Sequence, residues 1–219
     1  MLKDLVEIGQ IIQNGIVFNP RNWEKKRMES ASLLQVVNRL FTLLNKRGID
    51  YVLVGGVALL NYVEGRNTQD IDLIMALPDL AKVPEIKVEE QDNPYFARGE
   101  FEGLQIDILL TTNPLFQLVR QKYTEKLSFL EQEITIATVE GLLLLKLYAL
   151  PSLYRQGNFV RVSVYENDIA ALMYVYQPDM EMIMKILERY VGEGDLRSIR
   201  EIVAEIRQRI QRFQNGLET

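Results

Sequence analysis

The sequence predicts an α+β fold: a small mixed β-sheet flanked by helices, followed by a wholly helical C-terminal region. Three observations predict it. Short β-branched and aromatic runs alternate with helical apolar spacing as far as residue 137. From Thr138 onward only helical spacing remains. The chain has 219 residues, 47% hydrophobic and 25% charged, which suffices for one large soluble unit or two small ones. The expected division is an N-terminal helix and loop at 1–29, an α/β core at 30–137 and a helical region at 138–219.

Residues 2–13 place Leu2, Leu5, Ile8, Ile11 and Ile12 at helical spacing, and Asn19-Pro20-Arg21-Asn22 reads as a turn. Residues 30–46 repeat the helical spacing through Leu33, Leu34, Val37, Leu40, Leu43 and Leu44, and Gly48 supplies a stop. A buried strand is expected at 51–54, a helix at 57–63 after Gly55-Gly56, and a second strand at 70–75. Pro78, Pro84 and Pro94 punctuate a middle stretch that reads as irregular. Two strands at 95–102 and 104–110 meet across a turn at Gly103, a helix follows at 113–121, and weaker strands lie at 126–130 and 133–137.

Thr138 then caps a helix at 139–150, which Pro151 is expected to end. Residues 155–161 read as a loop, 162–176 as a helix, and Pro178 opens another helix reaching residue 190. Gly192 and Gly194 separate it from a last helix at 196–213, whose mixed charges suit a surface or a homo-oligomer contact.

Composition narrows the chemistry. There is no histidine and no cysteine. Ser-His-Asp and Cys-His catalysis, disulfides and thiolate metal sites are therefore excluded. Carboxylates, Lys, Arg, Tyr, hydroxyls and backbone remain, and carboxylates favour hard cations such as Mg²⁺ or Mn²⁺. The net charge of −5 does not suit a general nucleic-acid binder. Apolar runs are too short to span a bilayer. The opening MLKDLVEIGQ lacks the apolar core of a secretory signal, so a cytoplasmic protein with no membrane partner is expected.

One stretch concentrates the anomalies: YVLVGGVALLNYVEGRNTQDIDLIM, residues 51–75. Alternate residues of a strand share a face, so Asp70 and Asp72 point the same way, roughly 7 Å apart along the backbone. Two ionised carboxylates on one face of an apolar strand repel unless a cation lies between them. Asp107, within LQIDILL, is a third such carboxylate and completes a cage if its strand pairs with the first. Gly55 and Gly56 lie between a strand and a helix start, where backbone approaches a ligand closely and N–H groups attract phosphate. Together these read as a site for a nucleoside triphosphate and the metal that bridges its phosphates.

The same residues resemble the polymerase-β-like nucleotidyltransferase superfamily. Val54-Gly55-Gly56, thirteen further residues, then Asp70-Ile71-Asp72-Leu73 match its signature, and Arg66-Asn67-Thr68-Gln69 is similar to the Arg-x-Thr-x segment before the acidic pair. Within it the chain is most similar to the abortive-infection (AbiEii-type) and minimal members. Lys146-Leu147-Tyr148-Ala149 matches their Lys-Leu-x-Ala. Residues 165–172 match their Asp-x-x-Asp-Ile-x-x-Leu except that Tyr165 replaces the first Asp. The resemblance covers residues 33–176. It implies a nucleotidyltransferase-like sheet and metal-dependent transfer of a nucleoside monophosphate from an NTP to an acceptor: protein, tRNA or other RNA, or a small molecule. It also implies a toxin–antitoxin or phage-defence setting.

The roles so implied are Asp70, Asp72 and Asp107 for metal and catalysis, and Gly55, Gly56, Arg66, Thr68, Lys146 and Asp168 for nucleotide. Each has a plainer alternative. Arg66 reads equally as a surface loop residue, Thr68 as a loop cap, Lys146 as a snorkelling helix-end lysine rather than a cation that meets triphosphate or pairs with Asp168, and Asp168 as a helix-start acid. The basic RNWEKKR segment at 21–27 reads as a solvated face or an acceptor contact. A non-catalytic nucleotide-binding or partner-regulatory module of the same fold is the competing function.

Overall fold

A computed structural model describes residues 30–64, 68, 70–130 and 132–217. The expected helix at 2–13, the turn at 19–22 and the basic segment at 21–27 lie outside the described residues. The chain forms two compact units, one ending at Thr138 and the other beginning at Val139.

The first unit is built on a seven-stranded mixed sheet. Helix α1 (Ser30–Lys46) precedes strand β1 (Tyr51–Val54) and the short helix α2 (Gly55–Leu60). Strand β2 (Ile71–Met75), a single turn α3 (Leu77–Leu80), and strands β3 (Lys87–Asn93), β4 (Phe96–Phe101) and β5 (Leu104–Leu110) follow. Helix α4 (Pro114–Lys122) leads to the hairpin of β6 (Thr124–Phe129) and β7 (Gln132–Ala137). The strand order is β3-β4-β5-β2-β1-β7-β6. Both β1–β7 and β2–β5 are parallel pairs; the rest are antiparallel.

Local chemistry explains the boundaries. Gly48 takes a left-handed φ of 61°, its N–H bonds the Asn45 carbonyl, and the Ile49 N–H bonds that of Leu44. This is a Schellman stop, and it needs a residue without a Cβ penalty. Val36, Val37, Leu40, Phe41 and Leu44 form the buried stripe of α1. Phe41 stacks on Tyr51 and meets Phe129 edge-on, with ring centroids 5.6 and 5.4 Å apart. Burial pushes the Tyr51 hydroxyl well above its ordinary pKa. Asn113 caps α4 by accepting from the Leu115 N–H at 2.9 Å. Glu102 and Gly103, both at positive φ, close the β4–β5 hairpin as a two-residue turn.

The second unit comprises α5 (Val139–Arg155), α6 (Phe159–Tyr176), α7 (Met180–Leu187) and α8 (Glu193–Leu217). Among the described residues no helix is long and apolar enough to cross a membrane.

Several sequence expectations are corrected. Pro151 does not end its helix; α5 continues to Arg155. Proline forfeits one backbone bond there, but Leu150, Pro151 and Leu153 are all buried, and packing outweighs the local penalty. The loop at 155–161 is shorter than expected because the Asn158 side chain accepts from the Arg161 N–H and starts α6 at Phe159. Asp179, not Pro178, caps α7, which ends at Leu187 rather than residue 190. Gly194 lies inside α8 instead of before it. Helix α2 includes both glycines and ends at Leu60, and the irregular middle stretch contains an edge strand, β3.

Candidate functional site

The sheet register assembles the site. Asp72 lies at the second position of β2, directly opposite Val54 on β1 and Asp107 on β5. Lateral partners in a sheet share a face, so both carboxylates project to the same side. Asp70 stands one residue before β2 and joins them. One ligand oxygen from each of Asp70, Asp72 and Asp107 lies within 4.8 Å of the others. Asp107 is buried, whereas Asp70 and Asp72 are half-buried. Charges this close repel by roughly 3 kcal/mol per pair at an effective dielectric near 20. Such an arrangement persists only where cations or donors offset it.

The neighbouring groups supply part of that offset. Thr68 is buried, and its Oγ1 donates to Asp70 Oδ1 at 3.3 Å. The Gly56 N–H donates to Asp72 Oδ2 at 3.4 Å. Arg98, on β4 directly opposite Asp107, donates from Nε to Oδ1 at 2.8 Å and from Nη2 to Oδ2 at 3.1 Å. Gln105 adds a third bond, to Oδ1 at 3.2 Å.

Gly55 fixes the close approach of the loop. Its φ is 64°, and a Cβ there would fall 1.8 Å from Asp72 Oδ2 and 2.3 Å from Cγ. Gly55→Ala is therefore expected to destabilise the protein by about 2–4 kcal/mol, combining left-handed strain with displacement of a packed carboxylate. Adding Asp72→Ala removes the two nearest atoms but leaves the Asp72 Cβ 2.6 Å from the new Cβ, so it is expected to recover only part of the clash component. Urea unfolding of both variants checks this; a single variant as stable as wild type would show that the loop moves freely.

The structure thus brings together Gly55, Gly56, Thr68, Asp70, Asp72 and Asp107. Arg66 lies outside the described residues. Lys146 and Asp168 belong to the second unit and meet each other there. Their Nζ–Oδ2 distance is 2.7 Å, and both are buried. Lys146 is not a snorkelling side chain: its ammonium also sits 4.4 Å from the centre of the Tyr165 ring.

Sequence reasoning missed Arg98 and Gln105. A signal existed. A two-residue turn at 102–103 makes Phe101 face Leu104, and counting back along both strands places Arg98 opposite Asp107.

No family model matches the chain, and no curated protein matches it. Solved structures do. An antigenic nucleotidyltransferase-like protein from Paracoccidioides brasiliensis is 17% identical, with 77% of this chain and 91% of that one covered, at a TM-score of 0.48. A putative nucleotidyltransferase from Thermotoga maritima is 14% identical over 64% of this chain and 98% of that one, at 0.44. The antibiotic-resistance factor ANT(2'')-Ia is 12% identical over 86% of this chain and 98% of that one, at 0.50. At these identities the likeness is one of fold.

Proposed function

We propose that the protein is a metal-dependent nucleotidyltransferase that moves a nucleoside monophosphate from an NTP to an acceptor and releases pyrophosphate. The observation that carries this reading is the convergence of three strand carboxylates beside a glycine whose missing side chain lets Asp72 approach the loop. The donor set is all oxygen and suits a hard cation. Asp70, Asp72 and Asp107 would hold Mg²⁺ or Mn²⁺. When bound, such a cation stabilises charge on the α-phosphate and the leaving pyrophosphate. Gly55 and Gly56 are assigned to the phosphates, together with Arg66 and Thr68. Asp107 is assigned to help take the proton of the acceptor hydroxyl.

The fold likeness to the antibiotic-resistance factor ANT(2'')-Ia and the motifs of residues 54–73 support this reading. The finer proposal is an AbiEii-type enzyme, cytoplasmic, acting within a toxin–antitoxin or phage-defence system. The net charge of −5 favours a protein or small-molecule acceptor over tRNA, which is best met by a positive surface.

One observation favours a second reading. Arg98 already supplies a cation to Asp107. A nucleotide-binding module without transfer activity could keep this pair and need no metal for charge balance. Incubation with each α-labelled NTP, Mg²⁺ or Mn²⁺ and host lysate separates the two. The transferase reading expects label on a protein, an RNA or a small molecule. Saturable nucleotide binding with no labelled product under any of these conditions would favour the module.

A further inference from the structure

We propose that Arg98 is a positioning residue for the carboxylate cluster: its guanidinium fork holds Asp107 so that Oδ2 alone keeps a lone pair for a divalent cation. The inference rests on the metal-site reading above and adds a residue and a geometric role to it. A carboxylate oxygen accepts about two hydrogen bonds. Among the described residues, Asp107 Oδ1 receives two, from Arg98 Nε at 2.8 Å and Gln105 Nε2 at 3.2 Å. Oδ2 receives one, from Arg98 Nη2 at 3.1 Å. The carboxylate is thereby turned to offer one oxygen.

The fork is itself held in place. Arg98 and Asp107 are direct cross-strand partners, so the backbone ladder sets their separation. The guanidinium carbon lies 5.6 Å from the centre of the Phe96 ring, two residues away on the same face of β4. Planar two-point contact fixes orientation as well as charge, which a lysine ammonium cannot do. Hydrogen bonds to a ligating carboxylate typically tune metal affinity by their geometry.

The test is Mn²⁺ titration of the full chain, reading free Mn²⁺ by electron paramagnetic resonance. Circular dichroism melts establish that each variant is folded. Arg98→Gln and Arg98→Lys are both expected to weaken Mn²⁺ binding by roughly tenfold or more. Gln105→Leu, at an exposed position, is expected to weaken it only a few-fold. In an Asp107→Asn background, Arg98→Gln should change the affinity no further, because the two act as one unit. If Arg98→Gln does not fold, the Lys and Gln105 variants decide the question. Arg98→Lys binding like wild type, or Arg98→Gln binding more tightly, would overturn the positioning role while leaving the metal site standing. No saturable Mn²⁺ binding by wild type would overturn both.

Discussion

Asp72→Asn is expected to abolish nucleotidyl transfer, by on the order of a thousandfold or more, while leaving the free protein as stable as wild type or slightly more so. The substitution keeps shape and removes one charge from a cluster whose ligand oxygens lie within 4.8 Å. Repulsion is relieved, and the Gly56 N–H still finds an oxygen to accept its bond. The relief is modest because Arg98 already offsets Asp107. The second consequence lies in ligand linkage. Mg²⁺ with NTP at a hundred times its dissociation constant stabilises a protein by about 2.7 kcal/mol. In a chain of this size that raises the melting temperature by roughly 5–10 °C. The shift should vanish in Asp72→Asn. Thermal melts of both proteins, with and without Mg²⁺–NTP, read the outcome. An undiminished shift in the variant would remove Asp72 from the metal site, and an apo protein several degrees less stable would mark it as structural.

Much of this site was legible because it violates a local rule. Apolar strands do not carry aspartate without cause, and three such residues stood out at positions 70, 72 and 107. Their convergence also required β2 and β5 to be parallel neighbours in register, which the sequence suggested but could not fix. Arg98 violates nothing: an arginine in a half-exposed antiparallel strand is ordinary. Its importance appears only when the turn at Glu102-Gly103 is used to set the register of β4 against β5. Gly55 was legible as a site of close approach, but the group that approaches it, Asp72, was not.

The fold divides along the same line. Where the chain carries its own signal, the boundaries match: α1 spans Ser30–Lys46 because Gly48 closes it, and β5 spans Leu104–Leu110 because the hairpin turn starts it. Where tertiary packing decides, local rules mislead. Pro151 is a helix breaker by its own chemistry and sits inside α5 because its neighbours are buried. Strand β3 reads KVEEQDN, with no apolar alternation, and exists as an edge strand paired to β4 alone. Lys146 reads either as a snorkelling lysine or as the partner of Asp168, and the packing of α6 against α5 decides for the pair.

Lys146→Met is expected to cost about 3–5 kcal/mol of stability, the penalty of removing one partner of a buried ion pair. The pair is closed from water, with side-chain exposures of 5% for Lys146 and 7% for Asp168. Methionine fills most of the lysine stem's volume, so the cost arises from the lost charge and hydrogen bond rather than from a cavity. Replacing both residues, Lys146→Met with Asp168→Leu, removes both desolvation penalties together and should return stability to within about 1–2 kcal/mol of wild type. Chemical denaturation of the two single variants and the double variant gives the coupling energy directly. A single variant costing less than about 1 kcal/mol would show that the pair is solvated in solution.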